Sequence, residues 1–101
     1  MKIKGLKMAK NFRITTRWEE NSLYFDLWGD FDEISAIELI YTLRDRINES
    51  DRIYVETGGI KNLSNTGKHA FEKHFSLSPA LHEKIIFIGN NAPQITPYRS
   101  D

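Results

Sequence analysis

Two short clusters hold the side chains of this chain whose types and spacing most suggest chemistry. The first, Ser64-Asn65-Thr66-Gly67-Lys68, sets two hydroxyls, an amide and an ammonium in a row. It follows a strand-like run and opens a helical one, so its backbone N–H groups are unpaired and carry a partial positive charge. Such a terminus suits an anion, a phosphate or a partner's carboxylate. The second cluster, Asp30, Asp32 and Glu33, offers three carboxylates able to hold Mg²⁺ or to divide acid and base roles. Turn formation and compensation of a helix N-terminus explain them more simply. Ser64 and Thr66 have the hydroxyls of a nucleophile, but no base is identifiable and helix capping accounts for both. His69, His74 and His82 are spaced by five and eight residues, whereas two ligands on one helix face sit three or four apart. Neither Gly58-Gly59 nor Gly67-Lys68 has the Gly-x-x-x-x-Gly-Lys-[Ser/Thr] spacing of a phosphate loop. The expectation is therefore no catalytic residue, no metal and no cofactor.

Composition narrows the class. With 101 residues the chain is one domain by size, with room for one modest core. Its 14 basic and 14 acidic residues cancel, so no global field draws nucleic acid or an anionic membrane. Without cysteine there is no disulfide or thiolate chemistry. The longest unbroken apolar run is Ile85-Ile86-Phe87-Ile88, far short of the roughly 20 residues that span a bilayer. Residues 1–10 hold Lys2, Lys4, Lys7 and Lys10 but no apolar core of a secretory signal. They read as a flexible leader, more simply than as a basic arm touching an acidic surface. A cytoplasmic location is the expectation.

The elements that must position the two clusters follow from periodicity. Phe12, Ile14, Thr16 and Trp18 alternate with Arg13, Thr15 and Arg17, and after the polar Glu19-Glu20-Asn21 the run Leu23, Phe25, Leu27 alternates with Tyr24, Asp26, Trp28. These are two half-buried strands of a hairpin. Ile34, Ile37, Ile40, Tyr41, Arg44 and Ile47 fall at helical spacing, and Ser35-Ala-Ile-Glu38 matches a capping box, which predicts a helix from about Ala36 to Glu49. Ile53-Tyr54-Val55 is a third strand, broken at Gly58-Gly59. A second helix starts near Thr66, presents Ala70, Phe71, His74 and Phe75, and stops before Ser78-Pro79. Lys84 to Gly89 is a fourth strand, its apolar run implying burial on both faces. The order β-β-α-β-α-β implies an α/β fold: a small four-stranded mixed sheet with helices on one face. Residues 11–90 form this domain, and 91–101 an irregular tail containing Pro93 and Pro97. The predicted core is Phe12, Ile14, Leu23, Phe25, Leu27, Ile37, Ile40, Ile53, Val55, Phe71, Ile86 and Ile88. Tyr24, Trp28 and Tyr54 should lie on the opposite sheet face, capped by the tail or used in a homodimer. Arg13, Arg17, Tyr24 and Trp28 could form an aromatic-basic surface for single-stranded nucleic acid. Asp26 and Glu56 on the same face favour cross-strand ion pairs instead.

This order, together with two motifs, resembles the STAS domain of the bacterial anti-sigma-factor antagonists. In that family a strand ending in hydrophobic-Asp-Ser-Ser-Gly leads into the second helix, and the first Ser of the motif is the phosphorylation switch. On that pattern Leu63 takes the hydrophobic position, Ser64 the Asp, Asn65 the phosphorylated Ser, Thr66 the second Ser and Gly67 the Gly. Leu27-Trp-Gly-Asp-Phe-Asp32 is similar to the family's Gly-Glu-Leu-Asp turn before the first helix. The family continues past the fourth strand with a helix, a fifth strand and a terminal helix, for which about twelve residues remain here. The resemblance implies a non-enzymatic regulatory domain that binds a protein, an anti-sigma kinase-like partner, through Asp30, Asp32, Ser64, Asn65, Thr66, Gly67 and Lys68. Asn65 has no hydroxyl to phosphorylate. Since STAS domains also occur with transporters, the alternative it implies is a small-ligand or lipid-binding accessory subunit. Nucleic acid and direct membrane insertion are not expected.

Overall fold

The first hairpin is set by its turn. Strands β1 (Phe12–Glu19) and β2 (Ser22–Phe31) pair antiparallel with Glu19 opposite Ser22. Only Glu20 and Asn21 lie between, with φ of 50° and 72°. Two central residues of positive φ make the turn whose twist matches that of the flanking strands. A computed structural model describes residues 11–97 of the chain; the basic leader and the last four residues lie outside it. Helix α1 (Glu33–Arg46) follows β2, and a short 3₁₀ turn (Ile47–Glu49) leads to β3 (Ile53–Leu63). Helices α2 (Asn65–Ser76) and α3 (Pro79–His82) precede β4 (Ile85–Ile88), and a last short helix α4 (Ala92–Ile95) follows it. The sheet order is β1-β2-β3-β4, antiparallel for the first pair and parallel for the other two. This is the small four-stranded mixed α/β sheet that the element order predicts. Among the described residues no helix is long and apolar enough to cross a membrane.

One face of the sheet meets the helices. Leu23, Phe25, Leu27, Ile53 and Val55 are buried there with Leu39, Ile40 and Leu43 of α1 and Phe71 and Phe75 of α2. Aromatic edges interlock in this layer: Phe31 meets Phe12 at 5.7 Å and Phe71 at 6.0 Å, and Phe71 meets Phe87 at 5.7 Å. Edge-on ring pairs align opposed quadrupoles as well as excluding water.

Several expectations change. The first helix starts at Glu33 rather than Ala36, because Asp32 caps it: its Oδ1 accepts from the Ser35 N–H at 2.9 Å. Ser35 is inside the first turn and fully buried, its hydroxyl 2.7 Å from the Asp30 carbonyl oxygen. The buried stripe of α1 is Ser35, Ala36, Leu39, Ile40 and Leu43, while Ile34 and Ile37 are half-buried and Tyr41 is exposed. The small pair Ser35-Ala36 lets the helix approach the sheet, which turns the isoleucines outward. Gly58-Gly59 does not end β3. Trp28 pairs with Gly59 after Asp26 pairs with Glu56, and Asp30 pairs with Asn62 after Gly29 pairs with Ile60, so β3 carries two bulges and continues to Leu63. Gly59 serves the first, since a Cβ there would collide with the Leu27 carbonyl and the Trp28 ring. In β4 the inward residues are Ile85 and Phe87; Ile86, opposite Tyr54, is exposed and Ile88, opposite Glu56, half-buried. An unbroken apolar run gives no parity of its own, and neither residue belongs to the core. Ile14 packs against that core only in part, because β1 is an edge strand.

The tail is not irregular throughout. Pro93 sits in the first turn of α4, where its missing N–H costs nothing. Ile95 is buried in the helix-side core. Asn91 fastens the segment to β3, its Nδ2 donating to the Thr57 carbonyl at 3.0 Å and its N–H to Thr57 Oγ1 at 3.1 Å. The described part of the tail therefore lies with α2 and not over Tyr24, Trp28 and Tyr54.

Candidate functional site

The two sequence clusters meet in space. Strands β2 and β3 run parallel, and Phe31 pairs with Leu63, so the starts of α1 and α2 emerge side by side. Ser64 joins them: its N–H donates to the Phe31 carbonyl at 3.1 Å and its hydroxyl approaches the same oxygen at 3.3 Å. Ser64 also caps α2, its Oγ accepting from the Gly67 N–H at 3.0 Å. Of the two hydroxyls that could cap the helix, Ser64 is the one that does, and the helix opens at Asn65, one residue before the start near Thr66 that its sequence predicts. Thr66 Oγ1 lies 3.1 Å from Ser64 Oγ. With the Ser64 proton turned toward Phe31, Thr66 is the donor of that pair.

Gly67 brings the clusters together. A Cβ at this position would run into the Phe31 carbonyl and the Asp32 backbone, so only glycine allows the first turn of α2 to lie on the Asp30–Asp32 segment. Gly67 is buried, and its part in the predicted surface is that of a spacer. Asp32, Ser64, Asn65 and Thr66 are exposed, and Asp30 and Lys68 half-buried. The carboxylates have structural bonds: Asp30 Oδ1 accepts from Asn62 Nδ2 at 2.7 Å, and Asp32 Oδ1 holds the α1 cap. Asn65 occupies the first position of α2 with its side chain free to face solvent.

The remaining candidates disperse. Among the described residues no group of three or more His, Cys, Asp and Glu side chains is placed to hold a metal ion. The His82 ring, exposed to solvent, also stacks on Phe75 at 4.9 Å, with Nε2 2.8 Å from the Phe75 carbonyl oxygen. His69 is exposed on α2 and His74 half-buried. On the open sheet face Arg17 Nε donates to Asp26 Oδ2 at 2.8 Å, the cross-strand pairing expected of those charges; Arg17 also pairs with Glu19 on its own strand, and Glu56 instead accepts from the Gly58 N–H at 2.9 Å. Sequence reading missed Thr57, fully buried, whose hydroxyl donates to the Ile88 carbonyl at 2.8 Å. A lone threonine next to two glycines carries no signal of that role.

No protein-family model matches this sequence, and no curated protein matches it. Among solved structures, one described as a crystal structure analysis of Mglu superimposes with a TM-score of 0.61 over 75% of this chain, at 10% sequence identity. The match covers 19% of that chain. The likeness is one of fold, a small α/β domain with a mixed sheet.

Proposed function

We propose that this chain is a non-enzymatic, cytoplasmic regulatory domain of the STAS type, which binds a protein partner through the joined starts of α1 and α2. The observation that carries this reading is the packing of Gly67 and Ser64 onto the Phe31–Asp32 backbone. It merges Asp30, Asp32, Ser64, Asn65, Thr66 and Lys68 into one polar surface at one end of the sheet. That surface sets the hydroxyl and amide side chains of Ser64, Asn65 and Thr66 and the ammonium of Lys68 beside the carboxylates of Asp30 and Asp32, a mixed polar surface of the kind that pairs with polar and charged groups on a protein partner. The STAS resemblance points to an anti-sigma kinase-like protein as that partner.

Asn65 stands where the family carries its phosphorylated serine, so the domain is held in its unmodified, binding-competent form. Ser64 is engaged as a helix cap, which leaves Thr66 the less committed hydroxyl of the two. The test is calorimetric titration with an anti-sigma kinase-like protein encoded by the same genome. The wild type should bind, and Asn65→Asp should weaken binding by about tenfold or more through charge repulsion and desolvation. After incubation with native extract and ATP, mass spectrometry should find Ser64 and Thr66 unmodified. Equal affinity of wild type and Asn65→Asp would place the interface elsewhere, and stoichiometric phosphate on Thr66 would replace the constitutive reading with a displaced switch.

A further inference from the structure

The two edges of the sheet are not alike. β4 is an edge of four residues, whereas β1 runs for eight, with no proline, no glycine and an unbroken register to β2. Among the described residues no strand pairs with the outer side of β1. Which groups point outward follows from the hairpin. A two-residue turn closes on a hydrogen-bonded pair, here Glu19 and Ser22, and bonded and free pairs then alternate. Arg13, Thr15, Arg17 and Glu19 therefore bond to β2, a parity continued by the Asp30 N–H, which donates to the Asn11 carbonyl at 2.8 Å. Phe12, Ile14, Thr16 and Trp18 direct their N–H and carbonyl groups away from the sheet. Such a row is a template for another strand. On its helix side Trp18 is 50% exposed, Thr16 is exposed and Ile14 half-buried. The charges of β1 are divided by position. At the turn Arg17 serves both Asp26 and Glu19, and Glu20 has no ion pair among the described residues. At the other end Arg13 makes no hydrogen bond or ion pair among them.

We propose that the outer edge of β1 binds the β1 of a second copy of this chain, antiparallel and two-fold about Thr16, which joins the two sheets into one. In this register Thr16 lies opposite the partner's Thr16, Ile14 opposite the partner's Trp18, and Arg13 opposite the partner's Glu19. The residues that exchange backbone bonds are then the ones whose N–H and carbonyl groups point outward. The exposed indole gains an apolar neighbour, and the unpaired guanidinium gains the carboxylates at the partner's turn. Moving the two-fold axis by one residue spoils the match. About Thr15 it sets Arg13 against the partner's Arg17, and about Arg17 it sets the two Arg17 side chains against each other. Opposite charges at the two ends of β1 thus select an antiparallel partner, and one register of it. The surface includes no residue of the joined helix starts, so the inference is independent of the function proposed for them.

In sedimentation equilibrium the full chain should populate a dimer that grows with concentration. Thr16→Pro removes an outward N–H and leaves the bonds to β2 intact. It costs the dimer two backbone bonds and should weaken association about tenfold or more. Arg13→Glu, an exposed substitution, should also weaken it, and decides the question if the proline variant loses its folded spectrum. Single cysteines read the register, since the chain has none of its own. Thr16→Cys should form an interchain disulfide on air oxidation, because its Cα atoms lie about 5.5 Å apart in a bonded pair. Ile14→Cys alone and Trp18→Cys alone should not, being roughly 14 Å from their own copies. The two mixed should cross-link. A monomer at every concentration overturns the proposal; slow exchange of the Thr16 amide in that monomer would mean that the chain covers its own edge. Equal cross-linking at all three positions overturns it too. So does a dimer unmoved by both Thr16→Pro and Arg13→Glu, in which the copies meet away from β1.

Discussion

The two faces of the sheet solve the same local problem with different means. On the covered face Phe25 is fully buried, and the guanidinium of Arg46 lies 5.9 Å from its ring centre, bonded in turn to Glu49. On the open face Tyr24 is half-buried, and the guanidinium of Arg17 lies 4.2 Å from its ring centre, bonded to Asp26 and Glu19. In one case helices exclude water and the arginine closes only the margin. In the other the arginine is much of the cover. The Asp26 hydrogen bond raises the Arg17 pKa against the opposing effect of burial, a sign that this contact favours the charged guanidinium. The same motif thus seals a core in one place and leaves a chemically specific surface in the other.

This contrast is open to a direct break. Phe25→Ala removes a ring surrounded by α1, β2 and β3 side chains and should cost about 3–5 kcal/mol in urea unfolding. Tyr24→Ala removes one stacked partner and one cation–π contact and should cost about 1–2 kcal/mol. Equal costs would mean that the open face is as enclosed as the other.

A smaller effect tests the junction of the candidate site. Gly67→Ala puts a methyl against the Phe31 carbonyl, and the helix start must shift to release it. The expected cost is about 1–3 kcal/mol. Ser64→Ala, which removes the cap and the hydroxyl's contacts to the Phe31 carbonyl and Thr66, should cost about 1 kcal/mol. Gly67→Ala should also disturb the amide signals of Asp32 and Ser64 more than those of any β4 residue. A tolerated alanine would show that the two helix starts need not touch.

Much of this architecture is legible in the residues, and the failures have local causes. Alternation in Leu23–Leu27 reports a face correctly because each apolar side chain is flanked by polar ones. Ile85–Ile88 has no such contrast, so the side that Ile86 takes is decided by the register with Tyr54. The glycine pair at 58–59 signals a break when read alone, yet here it makes a bulge beneath Trp28, a contact between strands that no linear pattern contains. The Asp30–Asp32 and Ser64–Lys68 clusters are each visible as turn and cap chemistry. Their meeting depends on the parallel pairing of Phe31 with Leu63 and on the absent side chain of Gly67. The two helix starts shift in the same direction: a polar residue nearer the preceding strand takes the cap, Asp32 in place of Ser35 and Ser64 ahead of Thr66. In both, the strand fixes where the chain can turn, and the first side chain able to accept from the N–H three residues ahead becomes the cap.

The smallest expected effect sharpens the comparison between the two arginines. The hydrogen bond from Arg46 holds the Glu49 carboxyl below the usual carboxylate range, against a weaker opposing contribution from burial. A carboxyl with a depressed folded pKa contributes stability that is full above its unfolded pKa and is lost as pH falls through the folded value. Wild type should therefore lose a small part of its thermal stability across the acid range, and Glu49→Gln should lack that part while matching the remaining profile. Glu49 is solvent-exposed, so the difference should shrink with added salt. If Arg46 covers Phe25 only in passing, nothing further should change. If Glu49 positions it there, acid should also shift the Phe25 ring resonances in wild type and leave them unmoved in Glu49→Gln. The matching experiment at Asp26 separates the faces, because Arg17 retains Glu19 when Asp26→Asn removes its other partner. The Tyr24 resonances should then move less than those of Phe25 do when Glu49 is neutralised, and the reverse order would show that the covered face holds its arginine more firmly than the open one.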